Sequence, residues 1–111
     1  MSMKRVRAAQ ADMMKKAVTR YRLMIPDGFD GRTSRSLLHR GWVANTGCSY
    51  PDGGEVYAVT LLGFRWLLDY MTDNATTIGA IEELATTSAV FVREYKSMEK
   101  YLLKTLPGRG A

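Results

Sequence analysis

The sequence predicts a mostly helical domain with one small antiparallel β-hairpin and a long C-terminal helix, on three observations. Apolar residues recur at helical spacing before residue 24 and again from 61 to 71. Between them, WVANT and EVYAVT are shaped for strands and flank a Pro-Asp-Gly-Gly reversal at 51–54. From 78 to 106 the residues Ile81, Leu84, Ser88, Phe91, Tyr95, Met98 and Leu102 are spaced by alternating threes and fours, the pattern of a helix with a continuous seam.

In chain order, Met13, Met14, Ala17, Val18, Tyr21 and Met24 form one apolar stripe and leave Lys15, Lys16, Arg20 and Arg22 toward solvent. This predicts an amphipathic helix over about 7–24. Pro26, Gly28 and Gly31 are expected to end it, with Phe29 as an apolar plug in the linker. Thr33 or Ser34 is placed to cap a short second helix, which runs through Leu37 and Leu38 and stops at Gly41, a residue that tolerates the left-handed conformation. After the hairpin, Thr60 can accept from the backbone amides of the next helix, LLGFRWLLDYM, whose apolar residues cover most of its circumference. That composition predicts a central core helix, and TDNATT separates it from the last one.

Residues 36–43, Ser-Leu-Leu-His-Arg-Gly-Trp-Val, followed by Tyr57-Ala58-Val59-Thr60-Leu61-Leu62-Gly63, resemble the S-L-x-x-R-G-x-V and Y-x-[LV]-T-x-x-G pattern of winged helix-turn-helix domains of the MarR and PadR kind. The match lies within residues 33–68, about a third of the chain. It implies a winged-helix fold, DNA binding through the helix before the hairpin, and a dimer formed by the appended C-terminal helix. Two features depart from the pattern. The helix before Gly41 spans barely two turns, and the wing sequence CSYPDGGE holds Asp52 and Glu55 but no Lys or Arg.

Length and charge bound the function. The 111 residues suffice for one core, so residues 1–111 are expected to form a single domain, with 1–7 as a flexible basic arm and 76–106 as an interaction helix. The net charge of +5 is unevenly placed: residues 1–24 hold Lys4, Arg5, Arg7, Lys15, Lys16, Arg20 and Arg22 against Asp12 alone. An acidic partner is favoured. A single cysteine, Cys48, excludes an internal disulfide, and with only His39 beside it no Cys/His zinc set exists. A cytoplasmic protein without metal or cofactor is the expectation. Asp12, Lys15 and Lys16 interrupt the apolar core that a signal peptide needs, and no run of about 18 apolar residues suggests a membrane span. Nor is an enzyme expected. Glu82 and Glu83 are adjacent and so diverge on a helix, and no strained nucleophile turn or phosphate-cradling loop is present.

The second helix carries the candidate chemistry. On a helical wheel Ser34, Leu37, Leu38 and Gly41 fall on a core side, while Arg32, Arg35, Ser36 and His39 fall opposite. Arg35 is suited to two parallel bonds on a guanine edge, Ser36 and His39 to neighbouring bases, and Arg32 to a phosphate. The same outer face also fits an ordinary solvated helix surface. Lys4, Arg5, Arg7, Lys15 and Lys16 are candidates for tracking the phosphate backbone, or again for a solvated face. Leu84, Phe91, Tyr95, Met98 and Leu102 are the candidate dimer seam, open to packing within their own domain instead. Tyr50 in the hairpin fits either a partner contact or local packing. The expected function is a small DNA-binding transcriptional regulator of microbial or viral origin, acting on double-stranded DNA as a homodimer. The alternative is a winged-helix module that docks on another protein.

Overall fold

The computed structural model describes residues 3–25 and 31–105, with side chains over 7–25 and 31–97. The linker residues Pro26, Gly28 and Phe29 therefore lie outside the described residues, as do the side chains of Lys4, Arg5, Met98 and Leu102. The elements run α1 (Met3–Arg20), α2 (Gly31–His39), β1 (Val43–Ser49), β2 (Glu55–Val59), α3 (Leu61–Asp73) and α4 (Ile78–Thr105). Together they make a mostly helical domain with a two-stranded antiparallel hairpin and a long C-terminal helix.

Helix α1 differs from its expected bounds at both ends. Residues 3–7, expected as an arm, are helical, since KRVRA holds no residue that breaks a helix. The helix then stops at Arg20, before Pro26 and the linker glycines are reached. Arg22 and Leu23 take left-handed φ values of 53° and 73°, and the amide of Leu23 donates to the carbonyl of Ala17 at 2.8 Å, closing the helix end. Such a conformation costs about 1–2 kcal/mol per non-glycine residue. Burial of Leu23, which is fully enclosed, offsets it.

The turn sends residues 23–25 alongside β2. The amide of Ile25 donates to Tyr57, the amide of Val59 donates to the carbonyl of Leu23, and Met24 bridges Ala58 antiparallel. The hairpin thus gains a short third chain segment on its inner edge. Within the hairpin, Val43 pairs with Val59 and Asn45 with Tyr57, after which β1 bulges before Ser49 meets Glu55. Gly47 makes this bulge with φ +83°, its amide donating to Asn45 Oδ1, while the buried hydroxyl of Thr46 donates to the Val56 carbonyl at 2.9 Å. At the tip, the amide of Gly54 donates to Asp52 Oδ1, and Gly53 supplies a positive φ.

Helix α3 starts as the sequence predicts. Thr60 Oγ1 accepts from the amide of Gly63 at 3.0 Å and its own hydroxyl donates to the carbonyl of Gly41 at 2.7 Å, so one side chain joins the end of α2 to the start of α3. The helix is not enclosed all round, however. Phe64, Leu67 and Met71 are buried, whereas Leu61 and Leu62 are 53% and 54% exposed. One side therefore faces the core and the first turn faces out. Gly63 lies so close to Trp42 that an added Cβ would stand 2.1 Å from its carbonyl oxygen.

The core lies between α1, α3 and α4 and extends under the hairpin through Val43 and Val59. Phe91 of α4 is 2% exposed and stacks on Phe64 at 3.8 Å, with Tyr95 packed beside it. Of the expected dimer seam, the described side chains take the alternative of packing within their own domain, and those of Met98 and Leu102 lie outside the described residues. Phe91 is spent inside its own domain and Leu84 and Tyr95 pack against the same core, because α4 needs an apolar face to cover α1 and α3.

Candidate nucleic-acid interface

Helix α2 is held by its base. Leu37 is fully buried in the core, and the amide of Trp42 donates to its carbonyl at 3.0 Å. On either side of Leu37, Ser36 Oγ accepts from Gln10 Nε2 at 2.7 Å and Ser34 donates to Met13 Sδ at 3.8 Å. Since Gln10 meets Ser36 while Met13 meets Ser34, α1 and α2 run antiparallel where they touch. Fixing Ser34, Ser36 and Leu37 leaves Arg32, Arg35, Leu38 and His39 on the outside.

This corrects the helical wheel by part of a turn. Ser36, expected to face outward, is half-buried and tied to α1, and Leu38, expected inside, is 38% exposed. The physical cause is the buried Gln10, which draws Ser36 inward to satisfy its amide. Gln10 stands in the apolar stripe of α1, three residues before Met13, and that polar residue at an apolar spacing is the signal that a partner waits opposite.

The exposed cations do not form one field. Arg35 and His39 are exposed on α2, and Arg32 sits one turn before Arg35. Arg40, which the sequence reading left unassigned, lies over the Trp42 ring at 5.0 Å, and Trp42 stacks on Trp66 at 4.1 Å. Arg7 is exposed one turn before Gln10, and the antiparallel course of α1 carries it toward the His39 end of α2. Lys4 and Arg5 belong to the first turn of the same helix. Lys15 does not join them: its Nζ pairs with Glu83 of α4 at 2.9 Å. Lys16 pairs with Asp12 at 3.2 Å, and Arg22 pairs with Glu94 at 3.3 Å. The middle of α1 therefore turns its charge to carboxylates of its own chain.

The hairpin contributes acid only. Residues 43–59 contain Asp52 and Glu55 and no Lys or Arg, and both carboxylates are exposed. Tyr57 donates to Glu55 Oε2 at 2.6 Å, and this bond, followed by burial and the carboxylate charge, holds the phenol above its ordinary pKa. The Tyr50 hydroxyl donates to the carbonyl of Ile25, so this side chain packs locally and braces the third segment of the sheet. Among the described residues, no group of three or more His, Cys, Asp or Glu comes together to hold a metal ion, and no helix is long and apolar enough to cross a membrane. No protein-family model matches the chain, and no curated protein or solved structure is significantly similar to it.

Proposed function

We propose that this protein binds double-stranded DNA as a small transcriptional regulator of microbial or viral origin, presenting the outer face of α2 to the major groove. The observation that carries this reading is the mounting of α2. A nine-residue helix is fixed through Leu37, Ser34 and Ser36 and turns Arg32, Arg35 and His39 outward as a group. Rigid support is what base reading requires, because a bidentate arginine contact fails when its backbone drifts. Arg35 reads a guanine edge and His39 a neighbouring base, while Arg32, Arg7 and the first turn of α1 neutralise phosphates. Ser36 acts through its bond to Gln10 as a positioning residue. Lys15 and Lys16 supply little, being paired already.

A second reading, docking on another protein, is favoured by one observation: the hairpin tip is acidic where a DNA-binding wing is expected to be basic. Fluorescence anisotropy with labelled random duplex at two salt concentrations separates the two. The DNA reading expects binding at low salt in the range of about 10 μM or tighter, weakening steeply with added salt. It also expects Asp52→Lys to tighten that binding, since the tip then attracts the phosphates it repelled. No affinity for duplex at low salt would leave the protein-docking reading in its place.

A further inference from the structure

Helix α4 has two apolar faces, and the fold uses one. Leu84, Thr87, Phe91 and Tyr95 turn inward, with Phe91 stacked on α3 and Glu83 and Glu94 reaching Lys15 and Arg22 beside α1. About 115° round the helix from that face, at about 100° per residue, lie Ile78, Ile81, Ala85, Ala89 and Val92. Ile78 is 75% exposed, Ile81 54% and Val92 48%, and both alanines are exposed. Single exposed apolar residues are ordinary, but five in one line over four turns form a stripe.

The charges beside the stripe select its occupant. Glu82 flanks it near its N-terminal end, and Arg93 and Lys96 flank it near its C-terminal end, all three exposed. A second α4 laid parallel would turn the two copies of Glu82 to opposite sides of the contact and gather Arg93 and Lys96 of both copies at one end, with no flanking carboxylate beside them. Laid antiparallel about a two-fold axis near residue 87, it sets Ala85 against Ala89 of the partner subunit, Ile81 beside Val92 of the partner subunit, and Glu82 within reach of Arg93 of the partner subunit. The small alanines at the crossing let the two backbones approach closely. The pattern is thus complementary to itself with one orientation only. We propose that this outer face of α4 binds a second copy of the chain in an antiparallel helix pair, using a surface separate from the seam that holds Phe91. The inference stands without the DNA reading.

The test is a charge swap read by sedimentation equilibrium on the full chain without DNA, with circular dichroism checking that each variant keeps its helix. The wild type is expected to dimerise reversibly, and Glu82→Lys alone, or Arg93→Glu with Lys96→Glu alone, to weaken the dimer by about tenfold, since each places like charges at both ends of the pair. Mixing the two variants in equal amounts restores the opposite charges at both ends and is expected to return association to within about threefold of the wild type. A wild type still monomeric at about 100 μM would overturn the proposal, as would a mixture no better associated than its components. Dimers indifferent to all three substitutions would place the contact elsewhere and overturn it equally.

Discussion

Replacing Gly63 by alanine tests how α2, the hairpin and α3 are joined. The added Cβ would stand 2.1 Å from the carbonyl oxygen of Trp42 and 2.8 Å from its carbonyl carbon and Cα, all backbone atoms that no rotamer change can remove. Reaching ordinary contact requires a relative shift of roughly 1 Å or more between α3 and residue 42. That carbonyl also accepts from the amide of Thr60 at 2.9 Å, and Thr60 in turn caps α3 through the amide of Gly63. The shift therefore strains two hydrogen bonds as well as the packing. Overpacking costs about 1–3 kcal/mol, a weakened cap and bond add about 1 kcal/mol, and better helix propensity returns about 0.5–1 kcal/mol. A net loss of about 1–3.5 kcal/mol is expected. Gly79→Ala is the matched control. It too lies in a helix, but an added Cβ meets nothing nearer than Thr77 Oγ1 at 4.0 Å, so it should gain stability by about 0.5–1 kcal/mol. Urea unfolding followed by far-ultraviolet circular dichroism measures both, and near-ultraviolet circular dichroism reports the Trp42–Trp66 stack beside the clash. If Gly63→Ala is as stable as the wild type, the close approach of α3 to Trp42 is wrong, and so is the argument for glycine in the Thr-x-x-Gly pattern.

Leu37→Ala should destabilise the domain by about 2–5 kcal/mol, because it opens a cavity under the only fully buried residue of α2; loss of less than about 1 kcal/mol in urea unfolding would mean that α2 is not anchored there. Arg35→Ala should leave stability unchanged and cost about 1–3 kcal/mol of binding on a selected duplex while relaxing one base position, whereas Arg32→Ala should weaken selected and scrambled duplexes alike. Equal effects of Arg35→Ala on both duplexes, measured by anisotropy, would remove its base-reading role.

What was legible in the sequence follows from how local the cause is. The end of α2 at Gly41, the reversal at 51–54 and the Thr60 cap are each written in one or two residues whose backbone preference decides the geometry, and each is found where expected. The end of α1 was not legible, because the period of Val18, Tyr21 and Met24 continues past Arg20 and nothing local breaks it. The break comes from the sheet: pairing of residues 23–25 with β2 and burial of Leu23 outweigh the cost of two left-handed residues. The inward side of α2 and the partner of the α4 seam are not legible in the sequence for a related reason. A wheel gives the angle between residues but not the direction of the core, and a Gln–Ser pair in one case and a Phe–Phe stack in the other set that direction.

In the DNA reading, the short helix α2 and the acidic hairpin are parts of one arrangement rather than two separate defects. Nine residues make a helix of about 13–14 Å, enough to follow roughly three to four base pairs along a groove but not to hold position on it alone. In the DNA reading the missing grip has to come from another element, and the hairpin, with Asp52 and Glu55 at its end, cannot provide it. The antiparallel contact of α1 with α2 supplies a substitute, because it carries Arg7 and the first turn of α1 past Gln10 toward the His39 end, while Arg32 stands at the other end of α2. Phosphate contacts would then bracket the reading helix from both ends. A second copy paired through α4 adds grip of another kind, since two weak half-site contacts held together act at a raised effective concentration. On this account binding should respond more to charge removed from residues 4–7 than to charge removed at Lys15 or Lys16, whose partners Glu83 and Asp12 already neutralise them.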